Sequence, residues 1–187
     1  MKKSFEEKIK IMKEGGRILK EIFEELKNYI KPGISTLEID NKAGELFEKF
    51  NVKSAFKGYK PEFSNVSYPA NICLSLNEII VHGIPLKKRI IKEGDILKID
   101  IGIVYKELFL DAATTLIIGE TTEINKKLVK ITKESLLKAI EVAKPKNTLG
   151  DIGYTIQKHI EENGFKVIKN LCGHDIGEYL HGNLQVL

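Results

Sequence analysis

Residues 94–119 read GDILKIDIGIVYKELFLDAATTLIIG, two apolar runs on either side of Tyr105 and Lys106. Side chains alternate across a strand. Leu97, Ile99, Ile101 and Ile103 therefore share one face, and Lys98, Asp100 and Gly102 share the other. The second run places Phe109, Asp111, Ala113 and Thr115 together. A hairpin turning between Tyr105 and Lys106 sets Asp100 directly opposite Asp111. Like charges on facing cross-strand positions, ~4.5–5.5 Å apart, destabilise a sheet unless a cation lies between them. The plainer alternative leaves both aspartates at solvated strand edges. No Gly or Asn-Gly marks the turn, so the spacing leaves the register open.

Upstream, Phe5, Ile9, Met12, Gly16, Leu19, Phe23, Leu26 and Ile30 recur in steps of three and four, which predicts an amphipathic helix ended by Lys31-Pro32-Gly33. Ser35 with Glu38 forms a capping box for a second helix reaching about Phe50. Short runs at 72–76, 79–81, 96–103 and 109–118 read as strands. After Gly119 the order restarts. Residues 123–143 predict a third helix closed by Lys144-Pro145, and TLEI at 36–39 is echoed, with one extra residue, by TLGDI at 148–152. The fourth helix stops at Asn163-Gly164. These features predict a single domain over 1–187, with a first half of about 1–119 and a shorter, partial second half of about 120–187. Read as structural repeats, the second half lacks several tens of residues of sheet.

A chain of 187 residues that is 42% apolar is large enough to bury a core. No apolar run approaches the ~18–20 residues of a membrane span, and the opening MKKSFEEKIK has no signal-peptide core, so a cytoplasmic protein is expected. The net charge of +4 is dispersed in Lys/Glu mixtures along helical stretches, which argues against a specific nucleic-acid partner. Cys73 and Cys172 read as reduced thiols.

Three of the four histidines sit beside glycines. His82 lies in NEIIVHGIP, and His174 and His181 lie in CGHDIGEYLHGN. His174 and His181 fall on opposite faces of an unbroken strand, so one shared site requires a bend at Gly177. His159, between Gln157 and Glu161 on an amphipathic helix, reads as structural.

The ordered set NEIIVHGIP, GDILKIDIGIVYKELFLDAATT, KPKNTLGDIGYTIQKHIEENGFKVI and CGHDIG resembles the type I methionine aminopeptidases, dinuclear-metal enzymes with the α+β pita-bread fold. The likeness covers essentially the whole chain; the wording HGIP and CGHDIG fits the proline dipeptidases of the same fold less well. The resemblance implies two divalent metal ions (Co, Mn, Fe or Zn). Asp100, Asp111 and His174 match metal ligands, with Asp111 the bridging one. His82 matches the histidine that contacts the substrate amide, and His181 the one that stabilises the tetrahedral intermediate. Tyr59, Tyr68 and Cys73 match positions around the methionine side chain, across a loop, KPEFSNVS, that reads as an insertion. The implied partners are N-terminal peptides of nascent proteins, with a ribosome contact left open, and the implied state of a complete chain is a monomer.

The pattern also departs from the family. Gly182 and Leu184 stand where a Glu and a Pro are usual, Leu180 where a Phe is common, and two further glutamate ligands of the family have no counterpart up to Leu187. The expected function is removal of N-terminal methionine. The alternatives are an inactive pita-bread fragment, a peptide- or protein-binding module, or one part of a split enzyme.

Overall fold

The structure is a computed structural model and describes residues 3–60 and 65–187. Of the 60–67 loop, Pro61, Glu62, Phe63 and Ser64 lie outside the described residues. The chain forms two compact units, Met1–Thr121 with Ile176–Leu180, and Thr122–Asp175 with His181–Leu187.

The first unit opens with α1 (Phe5–Tyr29), capped by Ser4 and Glu7 in a reciprocal box. Its buried face is Ile11, Gly15, Leu19, Ile22 and Leu26, while Phe5 and Ile9 of the expected stripe are exposed. The stripe is displaced because Leu110 packs onto Gly15, where an added Cβ would stand 2.7 Å from it. Helix α2 (Thr36–Lys49) carries the expected Ser35–Glu38 box. Both helices pack on one face of an antiparallel sheet of β1 (Lys53–Ser54), β2 (Cys73–Leu76), β3 (Ile96–Tyr105) and β4 (Leu108–Ile117). Strand β3 is central, with β4 along one side and β1 and β2 along the other. Leu97, Ile99, Ile101 and Ile103 are fully buried against the helices, as the alternation predicts. Asp40, buried on α2, accepts the backbone N–H groups of Asn71 (2.8 Å) and Ile72 (3.0 Å) and so pins the start of β2 to the helix layer.

Two expectations change. The run Ile79–Val81 is not a strand. Asn77 and His82 take positive φ values of 48° and 57°, and Ile80 and Val81 are exposed on the resulting loop. The hairpin turns one residue later than expected, at Lys106-Glu107, pairing Tyr105 with Leu108. Asp100 therefore faces Ala113, and Asp111 faces Gly102. A register shift of two keeps side chains on their face, so the two aspartates remain together as diagonal neighbours.

That turn is of the type usually built from Asn-Gly. Lys106 and Glu107 have φ of 48° and 69° without being glycine. Two ion pairs hold them there, Lys106 with Glu14 of α1 at 2.8 Å and Glu107 with Lys3, just ahead of that helix.

In the second unit, α3 (Glu123–Val142) and α4 (Leu149–Glu162) repeat the helix–helix order of the first. The repeat is sharper in the caps than in the letters. Ser35 and Thr148 are both N-caps, Glu38 and Asp151 close their boxes, and Ile39 and Ile152 follow. Aligned on the caps, the extra residue disappears. His159 Nε2 lies 3.2 Å from Glu134 on α3, the structural role expected of it. Two short strands, β5 (Gly173–His174) and β6 (Gln185–Val186), pair antiparallel. Among the described residues no helix is long and apolar enough to cross a membrane.

The left-handed conformation costs a non-glycine residue ~1–2 kcal/mol, and exposed ion pairs contribute ~0–1 kcal/mol. Replacing Lys106-Glu107 by Asn-Gly should therefore stabilise the protein by about 1 kcal/mol in urea titrations. A loss of stability would show that the ion pairs outweigh the backbone strain.

Candidate active site

The face of the sheet away from the helices carries the polar chemistry. Cys73, Asp100 and Ala113 form one cross-strand row, and Gly102 with Asp111 lies in the row two residues further along β3. The Asp100 and Asp111 carboxyls share a hydrogen bond, which requires a proton on one of them. Burial, then the neighbouring Asp111 charge, pushes Asp100 up to about 8.

Beside the pair lies an apolar cluster of Ala55, Phe56, Cys73 and Leu180, with Tyr59, Tyr68, Val104, Phe109 and Ile176 around it. Tyr59, Tyr68 and Cys73 of this cluster are among the residues the resemblance implies, and Phe56 is not. Its place depends on Gly102, where a Cβ would stand 2.4 Å from the Phe56 ring. The glycine among the polar residues of β3 is the only trace of this in the sequence. Leu180, noted as smaller than the usual Phe, fills the cluster at 3% exposure. Phe56 and Tyr68 meet edge to face, with centroids 6.4 Å apart. Burial raises Tyr68 above its usual value and pushes Cys73 up to about 12, so both stay neutral near pH 7.

His82 is exposed on the loop beside β2. Its neighbour Gly83 is fixed there: Gly83 N–H donates to Ser75 Oγ (3.0 Å), its carbonyl accepts from Leu74 N–H (2.9 Å), and a Cβ would stand 2.2 Å from the Leu74 carbonyl oxygen. The Tyr68 hydroxyl lies 3.0 Å from the same Gly83 carbonyl.

In the second unit, His174 ends β5, and its ring meets that of His181 with centroids 4.6 Å apart. Gly177 has the bend that this requires, at φ +143°. The structure thus gathers Asp100 with Asp111, Tyr59 with Tyr68 and Cys73, and His174 with His181. Within either unit, no three described His, Cys, Asp or Glu side chains form a metal shell.

The model of metallopeptidase family M24 matches residues 10–187. A methionine aminopeptidase from Buchnera aphidicola is 41% identical over 97% of this chain and 67% of its own length. Methionine aminopeptidase 1 of Bacillus subtilis is likewise 41% identical, over 94% and 68%. The chain belongs to metallopeptidase family M24, among the methionine aminopeptidases. A crystal structure of the Thermotoga maritima methionine aminopeptidase superposes with a TM-score of 0.91 at 41% identity, covering 98% of this chain and 71% of that one. The fold is the pita-bread fold of the family, α+β as expected.

M24 enzymes are metallopeptidases, and the hairpin can be tested against that chemistry. Two partly buried carboxyls that must share a proton form a site where a divalent cation would relieve repulsion and complete the acceptors' bonding. Oxygen donors of this kind suit divalent metals from Mg to Zn. The residues fit a metal.

The raised Asp100 value has a direct consequence for the metal-free protein. An unfolded aspartate titrates near 3.9. Between that value and about 8 the folded chain binds the extra proton, so stability falls as pH rises through this window. Removing the neighbouring charge should flatten the trend. Urea titrations of chelated protein at about pH 5 and pH 8 should show a smaller loss in Asp111→Asn than in the unmodified chain. An equal loss in both would show that the pair does not carry the effect.

Proposed function

We propose that this chain is a methionine aminopeptidase using divalent metal held by Asp100, Asp111 and His174. The observation that carries the reading is the partly buried Asp100–Asp111 pair beside an apolar cluster, in a chain of this family. The metals are two, drawn from Mn, Fe, Co or Zn. Bound there, they supply Lewis acidity for a peptide carbonyl and a water activated near neutral pH. The chain's own groups do the rest. Phe56, Tyr59, Tyr68, Cys73 and Leu180 offer an apolar enclosure for a thioether side chain, and neutral Cys73 and Tyr68 bring no charge that an apolar ligand would have to desolvate. Positively charged or neutral imidazole can donate to oxygen as charge develops: His82 takes the substrate amide and His181 the carbonyl oxygen. The substrates are N-terminal peptides of nascent proteins, processed in the cytoplasm by a monomer.

Titration with Mn or Co in a calorimeter, paired with methionine release from Met-Ala peptides, tests this reading. The unmodified chain should take up metal and release methionine, and Asp111→Ala should lose both. Metal uptake unchanged in Asp111→Ala would refute the ligand assignment. Uptake that depends on Asp111 without any methionine release would favour the second reading, a pita-bread module that binds peptide without turnover.

A further inference from the structure

Strands β5 and β6 contribute two residues each, too few to hold a register unaided. Asp175, one residue past β5, ties the two limbs together. Its N–H donates to the Leu184 carbonyl (3.1 Å), its carbonyl accepts from Gly182 N–H (3.0 Å), and its Oδ1 accepts from Leu184 N–H (2.8 Å). The same Asp175 carbonyl lies 3.0 Å from His174 Nδ1. A carbonyl can only accept, so this contact is a hydrogen bond only when Nδ1 carries a proton. In the neutral imidazole the lone pair then sits on Nε2.

From this geometry we infer that Asp175 is a positioning residue that sets His174 for metal binding through Nε2; the inference rests on the reading of His174 as a ligand. Metal-binding histidines are oriented by what their second ring nitrogen donates to. Here that acceptor is a backbone carbonyl whose position the Asp175 side chain fixes. The carboxylate occupies the space above Gly182, where a Cβ would stand 2.1 Å from Oδ1. Two departures from the family pattern thereby acquire a common cause. A glutamate at 182 would expel the carboxylate, and a proline at 184 would lack the N–H that the carboxylate binds. Asp175, Gly182 and Leu184 form one interdependent clamp, and His181, next to Gly182, is carried by it.

The test reads the His174 ring by nitrogen-15 NMR in the metal-free chain, and Mn affinity in parallel. The unmodified protein should show the Nδ1–H tautomer. Asp175→Asn keeps an Oδ1 acceptor and should retain both the tautomer and the affinity. Asp175→Ala and Gly182→Ala should each shift the ring toward Nε2–H and weaken Mn binding roughly 10- to 100-fold, the range for lost support of a metal ligand. With no carboxylate left to expel, Asp175→Ala combined with Gly182→Ala should be no worse than Asp175→Ala alone. The proposal is overturned if Asp175→Ala keeps the Nδ1–H form, or if the two alanine effects simply add. Tautomer shifts as expected with Mn affinity unchanged across the series would overturn it differently, through the assignment of His174 as a ligand. Retention of Asp111-dependent metal uptake throughout would leave the hairpin reading standing in either case.

Discussion

The Asp100–Asp111 pair is the constraint around which the first unit is arranged. Two carboxyls occupy neighbouring, partly buried positions on one face of a hairpin, and they meet by sharing a proton. Such a pair is unfavourable by itself, since burial opposes charge and each charge opposes the other. It persists because the opposite face of the same strand is strongly favourable. Leu97, Ile99, Ile101 and Ile103 are fully buried, each contributing roughly 1.5–3 kcal/mol by the usual transfer scale. Alternation couples the two faces: the helices that cover the isoleucines hold the aspartates in place on the other side.

The surroundings of the pair follow from the same coupling. Asp40 fastens the start of β2 to α2, and that strand sets Cys73 across from Asp100. Gly102 lets Phe56 lie over the sheet next to the carboxyls. Gly83 is locked against β2, so the loop that bears His82 leaves the sheet at a fixed point. Rigid strands therefore place the charged groups, and glycines allow large side chains or backbone to approach them closely. In the second unit a single carboxylate, Asp175, plays the corresponding part for His174 and His181.

Much of this was legible in the sequence because it depends on period and local chemistry. The alternation in ILKIDIGI separates core from site face, and the Ser35–Glu38 box marks α2 without ambiguity. The hairpin register was not legible. Lys106 and Glu107 occupy a turn whose usual residues are Asn and Gly, and their ion pairs to Glu14 and Lys3 explain it. The loop at Ile79–Val81 reads as a strand because its letters are β-branched; the positive φ of Asn77, directly after β2, and of His82 at the far end of the run take it out of the sheet. Phe56 and Asp175 leave no sequence signal because each fills the space above a glycine outside its own element, Gly102 and Gly182, and only the folded chain brings them together.

On the proposed function, a cation takes the place of the proton held between Asp100 and Asp111. Counting the protons released when Mn binds tests it most directly, by calorimetry in buffers of differing ionisation heat. Metal binding to protonated ligands releases their protons, so the account predicts about one proton from the pair per site near pH 7, declining toward none by about pH 9 as the pair ionises by itself. Mn binding near pH 7 with no proton released would mean that the metal does not displace this proton, and would contradict the account.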